Sequence, residues 1–475
     1  MPLHLQLCRV WLVAAFIGAS TLSAAEKLVI VSPHWEGLRY EFARAFSEWH
    51  QEKFGTPVEV DWRDLGGSSE NVRFVISEFK QSPDGIGVDL FFGGGTDPFF
   101  EFVKHGLLQA YRPAALAGIP AQVGGVPVYD PSNRWFGVSL SSFGILYNQR
   151  VLAAEHLPVV RTWRELIELA PAGRIGCGDP RNSGTMHLMF EMILQRYGWD
   201  DGWQLLALLA AKTREFDRGA STSAKDCTTG NTAYTLAIDF YALTQIAYAG
   251  KENLGFILPA DCVTLSPDGL AILRGAPHRA LAEQFVEFCL GEPGQRLQMI
   301  PRGQPGGAQR FSIERMSVRP ALYDQLRDLT LVPINPFVQP VTFKYDPRKA
   351  GARWDLVNGL IGSTLIDVHD ELRAVYQRTG RVVGKAPITE AEAAKLALGE
   401  WKDPHYRQRK LIEWQQWAAE RYRGQETGDR SQKQKSGDRR QKAGDSGLRT
   451  QYFVRRRSPD LVVRPERSQT AGAEG

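Results

Sequence analysis

Short apolar runs alternate with longer segments of helical periodicity from Lys27 to Leu290. Lys27–Val31, KLVIV, predicts a strand. Gly37–Phe54 carries Phe42, Ala45, Phe46 and Trp49 at helical spacing. Pro57–Trp62 alternates in character and reads as a second strand. Ser69–Phe79 sets Val72, Val75, Ile76 and Phe79 on one helix face. Val88–Phe92, VDLFF, is continuously apolar, the pattern of a parallel strand covered on both faces. Asp97–Lys104 then predicts a helix that stops before Gly106. Strand and helix in alternation predict a doubly wound α/β lobe.

A second set of the same kind follows. Phe143–Tyr147, Arg174–Cys177, Thr235–Ile238 and Leu254–Leu258 read as strands. Trp163–Leu169, Thr185–Tyr197, Trp199–Ala211 and Phe240–Tyr248 read as helices between them. Val263–Leu273, VTLSPDGLAIL, predicts another strand pair, and His278–Leu290 a strongly amphipathic helix. The expected fold is α/β with two lobes and connecting strands that cross between them. Lobe 1 is discontinuous, built from residues 26–142 and 266–350, and lobe 2 is 143–265. Trp354–Gln377 and Ile388–Tyr422 predict a helical extension over 351–422. From 423 to 475 the chain is rich in Gln, Lys, Arg, Ser and Gly, and this composition predicts a disordered basic tail.

Composition narrows the function classes. The 475 residues are 43% hydrophobic and 23% charged, with a net charge of +4, an ordinary globular balance that does not suggest nucleic acid as a partner. Residues 1–25 read as a secretory signal. Arg9 supplies a positive start, Trp11–Ala19 an apolar stretch too short to span a bilayer, and Ser23-Ala24-Ala25 a small-residue cleavage site before Glu26. Cys8 lacks the preceding small residue of a lipoprotein site. The chain is expected to be exported to the periplasm. Cys177, Cys227, Cys262 and Cys289 remain, an even number that permits disulfides in an oxidising compartment. Cys177–Cys227 is the preferred pair, Cys289 reads as a small buried hydrophobe, and no spacing matches a zinc site.

The candidate chemistry sits at predicted strand ends. Ser183-Gly184-Thr185 falls where a helix begins, between GDPRN and an amphipathic run. The first N–H groups of a helix lack internal partners and face the positive end of its dipole. Two hydroxyls and a glycine there make either a plain N-cap or a cradle for an anionic or polar ligand. His34 and Trp35 follow the first strand, and Ser68 closes the turn Asp64–Ser68. Gly94, Gly95 and Thr96 follow VDLFF, where Gly93-Gly94-Gly95 exposes backbone N–H groups. Ser141 and Ser142 precede the hinge-like Gly144–Asn148, and Asp239 and Tyr241 follow the strand ending at Ile238. Asp239 reads as a partner for a ligand amine or as a helix cap. Tyr241 reads as a stacking or hydrogen-bonding group or as core, and His34 as a ligand contact or a strand-end polar residue. Trp35 could form an aromatic wall. In open α/β sheets, ligands bind outside the carboxyl ends of strands, so these groups are expected to share one cleft.

In their order, these motifs resemble an extracellular solute-binding protein of an ABC importer, of the iron(III)-type branch, over Lys27–Ile300. The carrying residues are Ser32-Pro33-His34, DLGGSS at Asp64–Ser69, VDLFFGGGTDPF at Val88–Phe99, GDPRNSGT ending at Thr185 after the hinge-like Gly144–Asn148, Ala237–Ala242, Asp268–Leu273 and the helix after Ala276-Pro277. The resemblance implies a type II periplasmic-binding-protein-like fold, a small-molecule solute, hinge closure, and an ABC permease of the inner membrane as partner. It implies a monomer with no cofactor and no catalysis.

Iron-binding members of this branch use a His, a Glu and two adjacent Tyr, with an anion on a Ser-Gly helix start. Carried over, His34 takes the His position, Ser183 and Gly184 the anion motif, and Tyr241 one phenolate. The Glu position falls in Gly93–Gly95, and the tyrosine pair becomes Phe240-Tyr241. Only His34 and Tyr241 could then hold iron. A small polar or anionic solute is the expected ligand, with ferric iron or an iron complex as the alternative. The extension 351–422 leaves open a ligand-sensor role. No Gly-x-Ser-x-Gly, no His-Glu-x-x-His and no acid pair near these motifs points to an enzyme.

Overall fold

A computed structural model describes residues 26–338 and 341–444. The signal sequence expected over 1–25 and the tail beyond 444 lie outside the described residues. The chain opens with β1 (Glu26–Val31), α1 (Glu36–Phe54), β2 (Val58–Arg63), α2 (Ser68–Gln81), β3 (Leu90–Phe92) and α3 (Asp97–Lys104). A small hairpin, β4 (Gln122–Val123) and β5 (Val126–Pro127), leads to the long strand β6 (Phe136–Asn148). Next come α4 (Gln149–Glu155), α5 (Trp163–Leu169), β7 (Ile175–Gly178), α6 (Gly184–Tyr197) and α7 (Trp199–Lys212). These are followed by β8 (Thr213–Asp217), α8 (Ala220–Thr229), β9 (Tyr234–Ile238), α9 (Asp239–Ala249) and β10 (Leu254–Ile257). The strand β11 (Leu265–Ile272) returns to the first half, with α10 (Arg279–Leu290), α11 (Glu292–Met299) and α12 (Ala321–Gln325) after it.

The strands run in the order β2-β1-β3-β11-β6-β9-β7-β8, with β10 also on β6. The β1, β2 and β3 neighbours are parallel, as are β7, β8 and β9, while β6 and β11 run antiparallel to their neighbours. The two lobes are joined through β6. Phe136–Ser142 pairs with β11, and Phe143–Tyr147 pairs with β9. The strand period of two explains the cores. Leu28 and Ile30 face one core with Phe42, Phe46 and Phe285, while Val29 and Val31 face another with Val75, Phe79, Phe99 and Phe102.

Within Val263–Leu273 a single strand, β11 (Leu265–Ile272), forms where the sequence predicted a pair. Its Ser-Pro-Asp-Gly reads locally as a turn, but Phe99 packs where a Cβ on Gly269 would lie, 2.1 Å from Cε2. The register shift at Asp268/Gly269 keeps the strand in the sheet as a bulge. β8, α8 and α11 escaped the sequence reading. α8 (ASTSAKDCTT) is mostly small and polar, so its period carries little signal.

The C-terminal part adds α13 (Pro347–Ala352), α14 (Trp354–Ile361) with a wide turn over Gly362–Ile366, α15 (His369–Thr379), α16 (Glu390–Leu398) and α17 (Pro404–Gly444). This extension shares the core of lobe 2. Leu356, Leu360, Leu372, Val375, Trp414 and Tyr422 are buried with Met189, Ile193 and Leu206 of α6 and α7. Tyr345 and Ala350 belong to that core as well, so the chain rejoins lobe 2 before residue 351. Arg353 anchors the contact, bidentate to Glu191 at 2.8 Å and bound to Glu390 at 2.7 Å. Helix α17 continues past residue 423, where composition predicted that folded structure would stop.

The expected Cys177–Cys227 disulfide is absent, and all four described cysteines are free and buried. Cys177 faces the core with α6 and α7, whereas Cys227 faces the opposite side of the sheet with Leu146 and Ala237. Burial pushes both thiols up, Cys227 to about 12, which leaves them protonated. No described helix is long and apolar enough to cross a membrane.

Candidate functional site

Strand ends from both lobes meet at a cleft of about 820 Å³. Lobe 1 supplies the segment Pro33–Glu36, the turn Asp64–Ser68, Gly94 and Gly95, and Ser266–Asp268. Lobe 2 supplies Asn182–Thr185, Arg218–Thr222, and Phe240 with Tyr241. Three helices begin at this space: α2 at Ser68, α6 at Gly184 and α8 at Ala220. Their first N–H groups have no acceptor inside the helix, and their dipoles add positive potential. Arg39 and Arg218 also line the cleft. Arg39 pairs with Asp64 at 2.9 Å, and Arg218 approaches Glu70 of the opposite lobe at 3.4 Å.

Of the sequence-predicted residues, His34, Trp35, Ser68, Gly94, Gly95, Ser141, Ser183, Gly184, Thr185 and Tyr241 line this one space. Gly94 and Gly95 need their glycines, with φ of 87° and 79°. Ser183 is both readings at once. Its hydroxyl caps α6, accepting from Met186 N at 3.4 Å, and it lines the cleft. Ser141 Oγ is buried without a partner among the described residues.

Three predicted residues are corrected. Asp239, Ser142 and Thr96 do not line the cleft. The Asp239 carboxylate accepts from Ser142 N at 3.0 Å, from the Ser142 hydroxyl at 3.3 Å and from Phe240 N at 2.7 Å. It ties β6 to α9 as the cap-like alternative expected, and burial raises its pKa to about 7. Thr96 is buried at the start of α3.

His34 is engaged by the protein on both ring nitrogens. Nε2 lies 2.7 Å from Asp268 Oδ2, and Nδ1 lies 2.9 Å from the Ser32 hydroxyl. A carboxylate can only accept, so Nε2 donates and Nδ1 of the neutral ring accepts. Burial holds His34 below its ordinary pKa, although Asp268 acts to raise it. Burial alone would raise the Asp268 carboxyl, but His34 and Arg315 outweigh it and hold Asp268 well below the usual range. Arg315 is fully buried, ion-paired to Asp268, and its guanidinium stands 5.0 Å over the Phe240 ring. Gly95 N adds a hydrogen bond to Asp268 Oδ1 at 3.2 Å.

His34 has no free nitrogen, and burial pushes the Tyr241 phenol up to about 12, so it acts as a hydroxyl donor. His34 and Asp268 line the cleft, with Arg315 buried against Asp268, and the sequence did not reveal Asp268 and Arg315 as members of this cluster. The bulge in β11 marked Asp268 only weakly. The run Arg218-Gly-Ala-Ser-Thr, glycine and hydroxyls after a basic residue, was the overlooked signal for α8.

Residues 85–299 match the family of bacterial extracellular solute-binding proteins. The chain is 25% identical over 295 residues to the phosphoglycerate transport regulatory protein PgtC of Salmonella typhimurium, covering 59% of this chain and 70% of that one. It resembles the periplasmic binding protein AfuA from Actinobacillus pleuropneumoniae, solved with fructose-6-phosphate bound. That match has a TM-score of 0.57 and 20% identity, over 73% of this chain and all of the other. Iron-bound HitA from Pseudomonas aeruginosa gives a TM-score of 0.54 and 20% identity, over 70% of this chain and 98% of the other. With the same fold and a cleft at the strand ends, residues 85–299 belong to the family of bacterial extracellular solute-binding proteins, which supports a substrate-binding component of an ABC importer.

Proposed function

We propose that the protein captures a small phosphorylated organic solute in the periplasm and delivers it to an inner-membrane ABC permease. The observation that carries this reading is the convergence of three helix N-termini and two arginines on one cleft. Phosphate oxygens accept from many donors at once, and each charge-assisted bond is stronger than a neutral one. The first turns of α2, α6 and α8 bind the phosphoryl group, with Arg218 beside it. The Tyr241 hydroxyl and the Trp35 ring contact the organic part. The lobes close by hinge motion about the β6 crossing at Ser142–Phe143, and the protein works as a monomer after removal of residues 1–25. Two relatives whose names mention phosphoglycerate transport and bound fructose-6-phosphate support this choice of ligand class.

Calorimetry and thermal shift against 3-phosphoglycerate, fructose 6-phosphate, inorganic phosphate and ferric citrate test the reading. At least one phosphate monoester raises the melting temperature by mass action. Tyr241→Phe then weakens its binding by about 10-fold, the worth of roughly one hydrogen bond. A shift with ferric citrate alone would overturn the proposal.

A further inference from the structure

We infer that the C-terminal extension is a clasp on the cleft, with Trp354 as the residue that positions the two helix starts facing each other across it. Trp354 opens α14, and its Nε1 donates to Ser69 Oγ at 3.0 Å. Ser69 is in the first turn of α2, on lobe 1. The same indole stacks on His187 of α6, on lobe 2, with ring centroids 3.6 Å apart and planes 29° from parallel. The outer edge of the indole, Cη2, lies 3.5 Å from where a Cβ on Gly184 would stand. One side chain therefore touches the first turns of both helices that approach each other at the cleft.

The extension travels with lobe 2, because its apolar face is buried in that lobe's core. Its contacts to lobe 1 are of a different kind. Besides Trp354–Ser69, the Tyr345 hydroxyl donates to Asp97 Oδ2 at 3.3 Å, at the start of α3. Between α2, α3 and the extension lies a cavity of about 250 Å³. Asp97 Oδ1 is buried at this contact without a partner among the described residues. The contact packs α13 on α3 and adds two directional hydrogen bonds, which can part. Opening the cleft breaks both, so the extension biases the solute-free protein toward closure. The family match ends at residue 299, so Trp354 and Tyr345 lie outside the matched segment.

The test uses the full chain without solute, so its outcome is independent of which solute binds. Spin labels at Lys80→Cys in lobe 1 and Lys225→Cys in lobe 2, both exposed positions, report the interlobe distance. Trp354→Phe keeps the stacking on His187 and removes the donor. The ratio of open to closed protein is expected to rise about 5-fold, the worth of roughly one net hydrogen bond. Ser69→Ala gives the same shift from the other lobe, and adding it to Trp354→Phe gives no further shift. Ser69→Thr, which keeps the hydroxyl, restores the native distances. Tyr345→Phe shifts the ratio independently. Unchanged distances in both Ser69→Ala and Tyr345→Phe, with folding intact by circular dichroism, would overturn the clasp.

Discussion

Replacing Asp268 with asparagine is expected to cost about 3–5 kcal/mol of stability, because it leaves the Arg315 charge buried without its partner. Arg315 is fully enclosed, and its Nε and Nη1 already lack hydrogen-bond partners among the described residues, so only the more weakly acting Asp239 charge remains near it. His34 loses its acceptor in the same step. Urea denaturation monitored by tryptophan fluorescence measures the loss. The double variant Asp268→Asn with Arg315→Met removes both charges and is expected to be more stable than Asp268→Asn alone. If the single variant loses less than about 1 kcal/mol, within the range of an exposed pair, the cluster is not a buried keystone.

The sign of the pH dependence follows from the same cluster. Asp268 is held below its unfolded-state value, so its contribution is complete above about pH 4 and is lost as pH falls toward the depressed folded value. The asparagine variant lacks that acid limb.

Gly67→Ala is expected to weaken solute binding by about 10- to 100-fold while leaving both lobes folded, since overpacking one contact costs roughly 1–3 kcal/mol. Gly67 caps α2 with φ −78° and ψ 178°, a conformation any residue adopts, so the backbone itself is not strained. A Cβ there would stand 1.6 Å from the carbonyl oxygen of Asn182. Asn182 belongs to the other lobe, so the clash exists only when the cleft is closed. The melting temperature of the solute-free protein should fall little, because the lobes separate and relieve it. Calorimetry with the solute found by screening measures the loss. Unchanged affinity would mean that the bound state is more open than this arrangement.

Part of this molecule could be read from contiguous residues. The runs KLVIV and VDLFF and the helical faces of α1, α2 and α6 specified α/β lobes, because a period of two or of 3.6 is a property of neighbours in the chain. The helix start at Ser183 and the glycines after β3 also declared themselves, since caps and positive-φ turns are chosen by one or two residue types. The strand ends then pointed to one cleft, and ten of the proposed residues line it.

What the chain did not declare depends on partners distant in sequence. His34 looked available for a ligand until Asp268, 234 positions away, took its Nε2. Asp239, Ser142 and Thr96 lie in polar motifs at predicted strand ends, but packing buried them away from the cleft, and the Asp239 carboxylate is spent joining β6 to α9. Cys177 and Cys227 had a plausible pairing until the sheet came between them. Arg218 and the start of α8 entered the cleft although α8 has almost no apolar period to reveal it. The place of the extension, with its core in lobe 2 and Trp354 reaching Ser69 in lobe 1, was likewise fixed only by folding. The sequence by itself determined the two lobes and the strand-end cleft, because local periodicity and turn chemistry are written in adjacent residues. Tertiary structure alone decided which polar groups face that cleft, because ion pairs and burial are set by neighbours in space.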